Sequence, residues 1–248
     1  MSLTRKRYSY VDFTSAEQVP LFAKTTHAIA TPANTQQDYF RVDGNYFEII
    51  QNGQNDVIPD FPRTISGWKL PLDQATDGIE ITQGIVAGVA TPMKFVTGTD
   101  AFFIKVKFEI TTLANLAHFG VGFRELAAYE ATLTTAANAI TLYDEKVMMK
   151  TVVTSGNVSS TTSVGGTDVS TVATGTPIVS GTPVTWEVRV SAARVCTFYV
   201  DGTADVLLNA GTANTLATGK TLIPSISACG NATGASSIEL VTYECGLL

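Results

Sequence analysis

The chain is poor in charge. Only 15% of its 248 residues are Asp, Glu, Lys or Arg, against roughly a quarter in an ordinary globular domain. A surface so short of charge has to be covered by small polar side chains or by neighbouring subunits, and a repeating shell offers the second route. Histidine is scarcer still: His27 and His118 are the only two, and neither has acidic or cysteine neighbours at the spacing of a metal site. No metal and no cofactor are therefore expected. Cys196, Cys229 and Cys245 are odd in number and lack a C-x-x-C spacing, which argues against a disulfide framework. Cys196 shares a strand face with Phe198 and Val200 and reads as a packed apolar thiol.

Positive charge is in deficit as well. A formal net charge of −6 and a pI near 4.9 argue against a nucleic-acid partner, because phosphate contact needs clustered Lys and Arg. The one basic cluster, Arg5-Lys6-Arg7, has two readings: an arm that docks on an acidic neighbour, or a solvated terminus. No apolar run approaches the roughly 20 residues of a membrane span, and Met1 to Arg7 lacks the apolar region of a signal peptide. Neither a membrane partner nor a secretory route is expected.

Catalytic signatures are missing too. The sequence contains no G-x-S-x-G elbow, P-loop or EF-hand loop. Asp144 and Glu145 are adjacent, so in a strand they would face opposite ways and cannot divide acid and base roles. They read as a polar loop, and His118, beside Gly120 and Gly122, reads as a surface histidine. The expectation is a protein that is not an enzyme. Glycan binding without hydrolysis needs aromatic platforms with Asp and Asn on loops. Asp100, Tyr129, Tyr143, Asp144 and Asn231 are candidates that the sequence alone does not bring together. Asn157-Val158-Ser159 and Asn231-Ala232-Thr233 match the glycosylation pattern and read as chance matches in a Ser/Thr-rich chain.

What the chain does have is alternation. In Ala101 to Thr111, Phe102, Ile104, Val106, Phe108 and Ile110 form one face, and Phe103, Lys105, Lys107 and Glu109 form the other. His118 to Arg124 places Phe119, Val121 and Phe123 inward and Gly120 and Gly122 outward, where missing side chains let another backbone come close. Val184 to Gly202 spells two strands, with Trp186, Val188 and Val190 on one face and Asp201-Gly202 as a tight hairpin turn. Thr154 to Pro183, nearly all small and β-branched, reads as a hairpin turning at Gly165-Gly166. Tyr8 to Phe13, Tyr46 to Ile50, Ile79 to Ile85, Ile140 to Tyr143, Val147 to Val153, Val206 to Leu208, Leu222 to Ser227 and Ile238 to Tyr243 bring the total to about twelve strands. Leu126 to Ala137 reads as a short helix or structured loop.

The order Trp186-Glu187-Val188-Arg189-Val190, a short break, then Phe198-Tyr199-Val200-Asp201-Gly202 resembles the back-sheet strands of concanavalin A-like (laminin G-like) jelly rolls. Ala101 to Val106, Gly120 to Arg124 and Glu244-Cys245-Gly246 resemble, more narrowly, jelly-roll structural proteins of tailed phages. The resemblance implies an all-β antiparallel sandwich, residues 46–248, behind an irregular N-terminal arm, residues 1–45. It further implies a virion part: a head decoration (cement) protein, assembled in the host cytoplasm and carried on the capsid surface, with the major capsid protein and sister subunits as partners. Closed trimers suit such a lattice. The alternative is a carbohydrate-binding adhesion module of the particle or tail, with surface glycans as its partner. Aromatic residues are dense near the N-terminus, and Arg5, Lys6, Arg7, Tyr8, Tyr10, Phe13 and Phe22 are the expected partner-binding residues.

Overall fold

In the computed structural model the described residues are 7–14, 21–23, 35–42, 45–52, 67–72, 78–83, 93–126, 143–151, 156–173, 177–210, 215–231 and 236–248. They form strands β1 (Tyr8–Asp12), β2 (Leu21–Ala23), β3 (Thr35–Val42), β4 (Asn45–Asn52), β5 (Trp68–Leu72) and β6 (Gly78–Thr82). β7 (Phe95–Val96), β8 (Phe102–Ile110), β9 (Leu116–Glu125), β10 (Lys146–Thr151), β11 (Val158–Val164) and β12 (Thr167–Ala173) follow. The last are β13 (Val184–Val190), β14 (Cys196–Val200), β15 (Thr203–Ala204), β16 (Thr221–Gly230) and β17 (Ser236–Leu247).

All pairings among them are antiparallel and build two sheets. The smaller runs β1-β17-β8-β13-β14-β15, with β5 beside β1 on β17, and the larger runs β12-β11-β10-β9-β16-β6-β4-β3-β2, with β7 on β16. This is the antiparallel β-sandwich that the alternating rows predict. Phe108 of β8 meets Phe119 of β9 at 4.4 Å between ring centroids, and Phe102 meets Phe123 at 4.8 Å. Trp186 of β13 closes the cluster against Phe108 and Phe119. Each such ring contributes about 1.5–3 kcal/mol by leaving water. These contacts are the seam where the two sheets meet.

Two turns follow from backbone chemistry. Gly165 and Gly166 have φ of 56° and 77° between β11 and β12, and Asp201 and Gly202 have 47° and 79° after β14, the left-handed pair of a tight hairpin. Asp201 tolerates this conformation because its Oδ1 accepts the Thr185 N–H at 2.8 Å. Gly122 also behaves as expected: a Cβ there would run into the Val147 carbonyl and Met148 of β10.

Other expectations change. Tyr8–Asp12 is a strand hydrogen-bonded to β17, and β2 and β3 belong to the larger sheet, so where it is described the N-terminal segment is woven into both layers and is not irregular. Val206 to Leu208 is not a strand. Asp205 Oδ1 accepts the N–H groups of Leu207 and Leu208, each at 2.9 Å, and this local alternative to a ladder winds the segment into a turn. Leu126 is described, while residues 127–142, which hold the rest of the helix candidate and most of the Ile140 to Tyr143 strand, lie outside the described residues.

Candidate functional site

Register decides what the outer face of the larger sheet carries. Directly opposed residues of antiparallel strands share a face, so Phe119, Val121 and Phe123 face the core with Ala228, Ile226 and Pro224. The opposite face collects Arg124, Gly122, Gly120 and His118 from β9, Ser225 and Ser227 from β16, and Glu80 and Thr82 from β6. On the other side of β9 it continues with Lys146, Met148 and Lys150 of β10 and Ser163, Thr161 and Ser159 of β11. Apart from half-buried Lys150, these side chains are buried.

Glu80 and Arg124 are at the centre, both buried. Arg124 Nε donates to Glu80 Oε1 at 2.9 Å and Nη2 to Oε2 at 3.4 Å, a two-pronged pair. Ser225 Oγ and Tyr143 OH each add a bond to the carboxylate at 2.8 Å. The guanidinium lies 4.3 Å from the Tyr143 ring centroid. Buried ions persist only when paired and hydrogen-bonded in this way.

Lys146, also buried, donates to Asp168 at 2.7 Å and to the Tyr143 carbonyl at 3.1 Å. His118 is 5% exposed and its Nε2 lies 3.0 Å from Ser227 Oγ. It is not the surface histidine that its outward position suggests, because the outer face is itself covered. Burial, helped by the nearby Lys150 ammonium, pushes its pKa down to about 3. The thiol of Cys196 is buried as expected, and burial pushes its pKa up to about 12, so it is an inert packing group.

Of the residues expected to meet partners, Arg5 and Lys6 lie outside the described residues, and Phe22 lies in β2. Arg7 is tied internally: its Nη1 donates to Asp100 Oδ2 at 2.9 Å and to the Lys94 carbonyl at 2.7 Å. Phe13 packs on Trp68, 5.3 Å between centroids. Tyr8 and Tyr10 are 48% and 46% exposed, side by side on the outer face of the smaller sheet, where Tyr8 OH donates to Glu244 at 2.7 Å. That carboxylate pushes the phenol up to about 12. Replacing Arg7 with Ala should cost about 1 kcal/mol in urea denaturation, whereas Tyr10→Ala should change stability by less than about 0.5 kcal/mol. Equal losses would place Tyr10 in the core and contradict its exposure.

The glycan candidates are not gathered. Asp100 belongs to the Arg7 clamp, Asn231 donates to the Ala114 carbonyl at 3.1 Å, and Tyr129 lies outside the described residues. Only Tyr143 and Asp144 are neighbours, and Tyr143 is committed to Glu80. Glu145 is buried, with Oε1 accepting the Gly165 N–H at 3.1 Å. Among the described residues no group of three or more His, Cys, Asp or Glu could hold a metal ion. Glu80, Arg124 and Ser225 were not recognisable as a site from sequence, because Glu80 and Thr82 alternate with Ile79 and Ile81 like the polar face of any half-buried strand.

No protein-family model matches the chain, and no curated protein matches it in sequence. Among solved structures it is similar to the carbohydrate recognition domain of Emp47p, with a TM-score of 0.54 at 12% identity, covering 100% of this chain and 99% of that one. The carbohydrate recognition domain of Emp46p in its potassium-bound form gives 0.55 at 8% identity, covering 81% and 88%. At such identities the likeness is one of fold: the chain is an antiparallel sandwich with the concanavalin A-like jelly-roll fold.

Proposed function

We propose that this protein is a binding module without catalysis and that its ligand is carbohydrate. The observation that carries this is the full-length likeness in fold to a carbohydrate recognition domain, with a TM-score of 0.54. The hydroxyl side chains of β11 and β16 on the outer face of the larger sheet are buried, so contact with a sugar falls to exposed donors and acceptors around them. Catalysis fits poorly, since a general acid or nucleophile needs a carboxyl free to reach the substrate. Glu80 is saturated by Arg124, Tyr143 and Ser225. On a glycan array the isolated protein should be retained by a defined subset of sugars and should release no product from them. Turnover of any bound sugar would defeat the non-catalytic reading, and retention by none would defeat the carbohydrate reading.

A second reading, a decoration protein on a phage capsid, is favoured by Tyr8 and Tyr10, exposed on an edge strand where a neighbouring subunit could cover them. Here many weak copies would clamp adjacent capsomers. We propose the particle surface as the location in either case. Binding to empty heads with a raised rupture temperature, reduced by Tyr8→Ala/Tyr10→Ala, is the result expected of decoration; a glycan-binding module would leave rupture unchanged.

A further inference from the structure

The larger sheet ends in a strand that nothing blunts. β12 pairs with β11 over all seven of its residues without a bulge, and among the described residues no strand lies on its other side. An open edge is a row of free backbone N–H and C=O groups, which native sheets protect with short strands, proline or charge. The other edges of this sandwich are protected. β15 has two residues and β2 three, β5 carries Pro71, and the Tyr10 carbonyl of β1 accepts Asn45 Nδ2 at 3.4 Å. β12 reads Thr-Asp-Val-Ser-Thr-Val-Ala; its single charge, Asp168, is bonded to Lys146 at 2.7 Å. Val164 to Ser170 are exposed.

The turn before β12 decides which of its backbone groups are free. A two-residue turn at Gly165-Gly166, both with positive φ, makes Val164 and Thr167 the first hydrogen-bonded pair of the hairpin. Backbone direction alternates along a strand, so Thr167, Val169, Thr171 and Ala173 turn their N–H and C=O groups toward β11. Asp168, Ser170 and Val172 turn theirs away, a set symmetric about Ser170.

We propose that a second copy of this chain pairs with β12 antiparallel about a two-fold axis at Ser170, joining the two larger sheets into one. In that register Ser170 faces its own counterpart and Asp168 faces the counterpart of Val172, so every free group of the edge finds a partner. Charge permits this arrangement. The two Asp168 positions lie four residues apart along the joined strands, about 13 Å, which is beyond the Debye length of about 8 Å at physiological salt. Val169, 38% exposed in the single chain, comes diagonally adjacent to its counterpart across the axis, and the two lose water together.

Sedimentation equilibrium of the full chain over a wide concentration range should show a 26.3 kDa monomer giving way to a species of twice that mass. Ser170→Pro deletes the central N–H at a position directed away from β11, where an edge strand tolerates proline. It should keep the β-sheet circular dichroism of the parent and weaken dimerisation by about tenfold or more. Ser170→Cys should form a disulfide-linked dimer on mild oxidation, because opposed Cα atoms of a hydrogen-bonded pair are about 5.5 Å apart. The native cysteines are buried and should not compete. Thr167→Cys, whose counterparts would stand about 20 Å apart, should not cross-link. A chain that stays monomeric at every concentration would overturn the inference. A dimer untouched by Ser170→Pro, or one that cross-links through Thr167→Cys and not through Ser170→Cys, would overturn it as well. No sugar enters these measurements, so their outcome is independent of the carbohydrate reading.

Discussion

Arg124→Met should lower the unfolding temperature of the chain by about 10 °C. The substitution keeps an unbranched side chain of similar length but deletes the charge, leaving the buried Glu80 with only Tyr143 and Ser225 as donors. Removing one member of a buried pair typically costs about 3–5 kcal/mol, and each kcal/mol is worth about 2–4 °C in a chain of this size. The Tyr143 ring also loses the cation stacked 4.3 Å away. Because most of the loss is the stranded carboxylate, Glu80→Gln in the same chain should recover a large part of it, and the double-mutant cycle should give a coupling above about 1 kcal/mol. Additive effects of the two substitutions, read by calorimetric melting, would mean that the carboxylate and guanidinium do not act as a unit. A shift below 2 °C in Arg124→Met would mean that the pair is open to water.

That pair also shows where sequence reading stops. The rows of β8, β9, β13 and β14 were legible because one face of each strand is apolar and the period of two is unbroken. The hairpin of β11 and β12 was legible because Gly-Gly interrupts a run of β-branched residues. The count of about twelve strands falls short of the seventeen formed for identifiable reasons. β3 reads Thr-Gln-Gln-Asp-Tyr-Phe-Arg-Val and has no apolar alternation, and β5 carries Pro71, which demotes a run in sequence but is tolerated on a strand paired only with β17. The site was not legible at all. Glu80 and Ser225 are 145 positions apart and bond directly, a coincidence fixed by the register of β6 on β16, which a single sequence does not contain. His118 was misread for a related reason. Alternation says which face a residue occupies and not whether that face is covered.

Covering that face gives the chain an acid limb. His118 titrates near 3 in the folded chain against 6.5 in a model peptide. The folded pKa is lowered, so below pH 6.5 the unfolded chain takes up a proton that the folded chain refuses. Stability therefore falls as pH drops from 6.5 toward 3 and levels off below that. Within this window the slope from His118 alone approaches about 1.4 kcal/mol per pH unit, on the order of 5 kcal/mol in all. Other groups of the chain also titrate in acid, so the informative quantity is a difference between variants. His118→Gln can still bond to Ser227 Oγ and does not titrate. In urea denaturation from pH 7 to pH 4 it should lose less stability than the parent chain, and the gap should widen by about 1 kcal/mol per unit below pH 6. Proton NMR of a His27→Gln chain, in which His118 is the one remaining imidazole, should show a resonance that does not move down to pH 4. Parallel stability profiles, or an imidazole that titrates near 6.5, would mean that water reaches His118 and that the outer face of the larger sheet is open.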